Sequence, residues 1–242
     1  MSKYELISFP DDEELARTVA SQWLRQLDSV EGGNAPYCVA LSGGRIARRF
    51  FAAVANLAKE RVGGLRCAHF FWSAERCVPP SDPESNFAIA RELLFEPLRI
   101  APAQIHRVRG EKAPEFAAAE AEAELCRIAS LNPEGQPVLE LIFLGMGEDG
   151  HVASLFPGES DAAMAVKAVY RPVTATKPPP RRITLGYPAL AAARQVWVLA
   201  SGQGKENALR NSLAAGGNTP LGRVLRLRSQ TKIFSDIAIF LS

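Results

Sequence analysis

Short, wholly apolar runs alternate with amphipathic helical segments along most of this chain, and that alternation restricts its fold more than any other feature. Tyr37–Leu41 is too short for a helix and reads as a strand buried on both faces. The segment after it places Ile46, Phe50, Val54 and Leu57 on one helical face. Upstream, Asp11 or Asp12 is placed to cap a helix burying Leu15, Val19, Trp23 and Leu27. The pattern then repeats, with strands predicted over 65–72, 105–108, 139–144, 183–185 and 196–200. Helices are predicted over 84–95, 115–129 and 205–213. Strands alternating with helices build parallel βαβ units, so the expected fold is α/β: a Rossmann-like, mostly parallel sheet with helices on both faces.

At 242 residues and 47% hydrophobic content, the chain can bury one large core, and one domain over 1–242 is the simplest reading. Pro and Gly gather at 177–180 and 215–220, in loops too short to be domain linkers. A net charge of +2 with scattered basic residues gives no stripe for nucleic acid, so any anionic ligand should be small and locally held. Residues 1–10 lack a basic start followed by an apolar run, and no segment approaches the roughly 18 apolar residues of a membrane span. The expected setting is the cytoplasm, away from the membrane. Cys38, Cys67, Cys77 and Cys126 form no C-x-x-C pair and read as reduced thiols. Together with His69, His106 and His151 they show no ligand spacing, so no metal is expected.

Four segments could carry chemistry. In the first, Ser42-Gly43-Gly44 joins the 37–41 strand to a helix starting at Arg45. Such a turn lets backbone N–H groups and the positive end of a helix meet a phosphate, with Ser42 adding a hydroxyl and Arg45 a charge; an ordinary tight turn would look the same. In the second, Glu75-Arg76 follows a strand at its carboxyl end, where parallel sheets bind ligands, although a surface ion pair is the plainer reading. Ser85-Asn86 nearby reads as a helix cap. The third segment runs from Leu144 to Gly158 and includes Gly145-Met146-Gly147-Glu148-Asp149-Gly150, a literal G-x-G-x-x-G. A dinucleotide site would need an acid about 20 residues on, and 162–182 contains none. The better reading pairs Asp149 with His151, the carboxylate orienting an imidazole suited to general-base work. In the fourth, Arg182 opens a strand and Lys205 follows another in a Gly-containing turn; each can reach a phosphate from a different loop.

In this order, from the Ser-Gly-Gly turn to Ser235-Asp236-Ile237-Ala238, these segments resemble the 6-phosphogluconolactonase family, which is grouped with the glucosamine-6-phosphate isomerases and deaminases. The likeness spans nearly the whole chain, and 144–158 is its most specific part. The resemblance implies a sugar-phosphate isomerase-like fold and hydrolysis of a small sugar-phosphate lactone, with no metal or organic cofactor. It makes Ser42, Gly43 and Gly44 the phosphate pocket, closed by the charges of Arg182 and Lys205. It makes His151 the base and Asp149 its orienting partner, and puts Glu75 and Arg76 at the sugar or phosphate end. Backbone N–H groups of 145–150 or a nearby arginine would stabilise the oxyanion. Two departures stand out. Arg45, Ile46 and Ala47 replace the usual Ser-Thr-Pro, removing two hydroxyls and adding a cation. Ala74 replaces the Asp of the usual Asp-Glu-Arg. A sugar-phosphate isomerase or deaminase, or a non-catalytic sensor, could share the scaffold, and the oligomeric state is left open.

Overall fold

A computed structural model describes residues 3–30, 32–33, 35–59 and 65–239. In chain order it contains β1 (Tyr4–Ser8), α1 (Asp12–Val30), β2 (Tyr37–Leu41), α2 (Arg45–Ala58), β3 (Ala68–Trp72), β4 (Ala74–Arg76) and α3 (Asn86–Ala90). A single π turn (Arg91–Phe95) joins α3 to α4 (Glu96–Leu98). There follow α5 (Pro114–Ile128), β5 (Leu141–Gly145), α6 (Asp161–Met164), β6 (Tyr170–Thr174), β7 (Arg181–Leu185) and α7 (Tyr187–Ala192). The chain continues through β8 (Gln195–Ala200), α8 (Glu206–Leu213), α9 (Pro220–Leu227) and β9 (Thr231–Ser235).

Six strands form one sheet in the order β1-β9-β8-β5-β2-β3, and every pair in it is parallel. All five residues of β2 are buried, which requires cover on both faces of the sheet. On one face α1 and α2 press Trp23 and Phe50 onto Phe143 of β5, with ring centroids 5.3 and 4.6 Å apart. Each such aromatic pair adds about 0.5–1.5 kcal/mol beyond its buried area.

The remaining strands form a separate antiparallel sheet, β4-β7-β6. Here the structure corrects the sequence reading: the apolar run at 183–185 belongs to this second sheet and not to the parallel one, because an apolar run fixes burial but not the partner strand. Likewise 105–108 is no strand. Only Ile105 bridges Phe70 at the sheet edge before the chain turns away, and the His106 ring bonds inward to His69 and Glu124. β3 begins at Ala68, with 65–67 forming the turn that leads into it.

Parallel register decides where the loops go. Leu41 pairs with Trp72, Gly145 with Leu199 and Ala200 with Ser235, so β2, β3, β5, β8 and β9 end along one edge. The loops after them meet there, and the antiparallel sheet contributes Ala74–Arg76 and Arg182 to the same place.

Candidate active site

At that edge is a cleft of about 130 Å³. Gly44, at φ 95°, takes the left-handed backbone that turns β2 into α2 and aims the first turn of that 14-residue helix at the cleft. No side chain caps this helix, so its N-terminal N–H groups have no side-chain acceptor. Ser42 Oγ accepts a hydrogen bond from the Gly145 N–H at 3.3 Å, tying this turn to the end of β5.

The loop after β5 folds back on itself. The Gly147 N–H bonds the His151 carbonyl at 2.9 Å, and the Gly150 N–H bonds the Gly147 carbonyl at 3.0 Å. The imidazole packs over Gly147, where any Cβ would collide with it. His151 Nδ1 meets Asp149 Oδ1 at 2.6 Å, and the same oxygen accepts the His151 backbone N–H at 3.1 Å. Burial pushes the Asp149 carboxyl up, but these contacts with His151 outweigh it and hold the group below the ordinary aspartate value. The N–H groups of Gly145, Gly147 and Gly150 are thus all engaged within the protein.

The cations arrive in two pairs. Arg45 leans across to the backbone of Gly202, beside Lys205. Burial, and then the neighbouring Arg45, lower the Lys205 ammonium from its usual value, partly opposed by Glu148 and Asp236. Arg182 is buried, bonds the Pro179 carbonyl at 3.1 Å and lies over the Phe156 ring at 5.5 Å. Burial, and then Arg76, lower it too, with Glu84 opposing. Arg76 is held by the Glu84 carbonyl at 3.0 Å and by Asn86 Oδ1.

Of the residues singled out from sequence, Ser42, Gly43, Gly44, Arg45, Arg76, His151, Arg182 and Lys205 line the cleft. Asp149 stands behind His151. Glu75 takes a different part from the expected contact with sugar or phosphate: it is 2% exposed and its carboxylate faces the protein. Oε1 accepts the N–H groups of Arg76 and Asn86, both at 2.8 Å. Oε2 accepts the Phe87 N–H at 2.8 Å and the Ser85 hydroxyl at 3.1 Å. Burial raises the Glu75 carboxyl pKa, and these four bonds oppose the rise.

Two contributors escaped the sequence reading. Asn86 does more than begin a helix: its Nδ2 donates to the Ala74 carbonyl at 2.6 Å, and its amide lies so close to Gly43 that a Cβ there would collide. Asp236, directly after β9, accepts from the Ser201 hydroxyl at 2.7 Å and the Gly202 N–H at 3.1 Å, setting the turn that carries Lys205. Its only signal was its place in the Ser235-Asp236-Ile237-Ala238 stretch where the family resemblance ends. Among the described residues no three His, Cys, Asp or Glu side chains cluster to suit a metal ion.

Residues 10–233 match the family model described as "Glucosamine-6-phosphate isomerases/6-phosphogluconolactonase". The chain belongs to this family. Its relatives include a 6-phosphogluconolactonase of Treponema pallidum, 37% identical over 202 residues, spanning 80% of this chain and 79% of the relative. Another, from Streptomyces coelicolor, is 32% identical over 220 residues, spanning 88% and 84%. Among solved structures of the glucosamine-6-phosphate isomerase/6-phosphogluconolactonase family, the 6-phosphogluconolactonase from Trypanosoma cruzi superposes with a TM-score of 0.83. It is 25% identical, covering 97% of this chain and 96% of that one. A monomeric glucosamine-6-phosphate deaminase, 18% identical with a TM-score of 0.77, shares the fold.

Proposed function

We propose that this chain is a 6-phosphogluconolactonase, hydrolysing 6-phospho-D-glucono-1,5-lactone to 6-phosphogluconate in the oxidative pentose phosphate pathway. One observation carries the choice of reaction. Among the described residues the cleft is lined by four cations, Arg45, Arg76, Arg182 and Lys205, by one imidazole and by no carboxylate. That set suits an anionic substrate and a single base acting on water. Isomerisation or deamination moves a proton between neighbouring sugar carbons and calls for a base over the carbon; Ala74 stands where the resemblance puts that aspartate. The names borne by the relatives support the same reading.

In the mechanism, Asp149 accepts Nδ1–H of His151, which fixes the tautomer and leaves the Nε2 lone pair to act as base. Nε2 takes a proton from water as the water oxygen attacks the lactone carbonyl. The oxyanion is stabilised by the Arg76 guanidinium, the one cleft cation not engaged with the phosphate. The tetrahedral intermediate collapses, the bond from C1 to the ring oxygen breaks, and the imidazolium returns its proton to that oxygen. The phosphate, held by the α2 N-terminus, Ser42, Arg45, Arg182 and Lys205, takes no part in bond making and positions the lactone. No described helix is long and apolar enough to cross a membrane, and the four cysteines are free, which fits a cytoplasmic enzyme. Hydrolysis of freshly made lactone, corrected for its spontaneous rate, tests the proposal. A rate equal to the uncatalysed one, with 6-phosphogluconate still bound, would replace it by a non-catalytic sugar-phosphate sensor.

A further inference from the structure

A cavity of about 870 Å³ lies outside this cleft. That is within the size range of small-molecule sites, roughly 300–1,000 Å³. It opens between α5 and the segment leading from α4 past the edge strand β3. Its floor is apolar: Phe71, Phe95, Ile100, Ile105 and Tyr170. Its walls carry five guanidinium groups, Arg91, Arg99, Arg107, Arg109 and Arg127, against the carboxylates of Glu96, Glu120 and Glu124.

Those three carboxylates are already occupied. Glu96 pairs with Arg91 at 3.5 Å and Glu120 with Lys112 at 2.8 Å. Glu124 bonds both Arg127 and His106 at 2.8 Å. Arg107 pairs with Glu111 at 2.7 Å. Arg99 and Arg109 make no salt bridge among the described residues, and both are exposed at the mouth. An apolar floor beneath two uncommitted guanidinium groups suits a ligand with an apolar body at one end and fixed negative charge at the other, since arginine binds phosphate oxygens through paired N–H donors.

We propose that this cavity is a second ligand site, for an organic polyanion with a flat apolar body, of the chemical class of a nucleoside diphosphate. The body lies on the Phe95–Ile105 floor and the charges meet Arg99 and Arg109. The site is separate from the cleft but shares a wall with it. Asn86 faces the cleft and the adjacent Phe87 faces the cavity, and Glu75 accepts the backbone N–H of both.

Calorimetric titration of the whole chain with ADP tests this, beside the double variant Arg99→Glu/Arg109→Glu and the cleft variant Lys205→Ala. Both arginines are exposed, so the double variant should keep its fold, checked by circular dichroism, and its lactone hydrolysis. The expected result is one saturable site whose affinity falls at least tenfold in the double variant and is unchanged in Lys205→Ala. Adenosine and pyrophosphate should each bind at least tenfold more weakly than ADP. Absence of saturable binding, equal affinity in the double variant, or loss in Lys205→Ala instead would overturn the site. Pyrophosphate binding as well as ADP would overturn the role given to the apolar floor.

Discussion

At His151 the 2.6 Å contact with Asp149 turns one ring nitrogen inward and leaves the other for chemistry. Removing the ring should therefore cost the base without costing the pocket. His151→Ala is expected to lower kcat by about a hundredfold to ten-thousandfold, the usual range for general-base catalysis, with product affinity kept; steady-state kinetics and product titration read both. Asp149 sets a pH expectation. Its folded pKa lies below the ordinary value of 3.8, so the folded state binds its proton more weakly than the unfolded chain does. Ionised Asp149 therefore contributes stability above about pH 3.8, and that contribution is lost as pH falls through the folded value. The difference in thermal midpoint between the native protein and Asp149→Asn should shrink as pH falls below 3.8. On the proposed function, Lys205 meets the substrate by charge alone. Lys205→Ala should raise KM about tenfold or more with a smaller effect on kcat, since a charge-assisted contact is worth about 1.5–3 kcal/mol. The pairing of Asp149 with His151 could be anticipated because both lie in one short loop. Glu75 could not be placed, because a carboxylate facing ligand and one facing backbone N–H groups look identical in a sequence.

Among elements, the turn into α3 is the joint on which the cleft depends. Glu75 gathers three backbone N–H groups and the Ser85 hydroxyl, and Asn86 carries that order on to Arg76 and Gly43. Glu75→Gln keeps the shape but points an N–H₂ group at donors. It should destabilise the fold by about 1–3 kcal/mol, the cost of leaving buried donors unpaired, and raise KM through a displaced Arg76; chemical denaturation and kinetics separate the two effects. The helices and strands of the βαβ core were legible because burying one face or two leaves a period in the sequence. β4 and β6 were not anticipated, and 183–185 was assigned to the parallel sheet: β4 lies about a hundred residues before the strands it joins, and an apolar run announces burial, never partners. Tyr4–Ser8 and Thr231–Ser235 escaped for a related reason. Polar residues interrupt both, and their strand identity comes from pairing, β1 with β9 and β9 with β1 and β8.

For the whole molecule, the arrangement of charges at the cleft is what the proposed choice of reaction rests on. Two sheets deliver four cations and one imidazole to a cleft in which the described residues place no carboxylate. The protein should therefore turn over the lactone and release no ammonia from glucosamine 6-phosphate, a coupled ammonia assay being the check; fructose 6-phosphate formed by the native protein would contradict the reading of Ala74. The parallel sheet has a further consequence, for synthesis. Its edge strand β1 pairs along the sheet only with β9, Tyr4 meeting Thr231. On a ribosome adding about 5–20 residues per second, β1 waits on the order of tens of seconds for its only neighbour in the sheet. Through that interval Leu6 and Ile7 have no sheet to join, and Asp236 has not yet arrived to shape the turn beside Lys205. β1 joins the sheet and Asp236 joins the turn at Gly202 at the same stage, so a nascent chain has neither all six strands paired nor the turn beside Lys205 set until β9 leaves the exit tunnel.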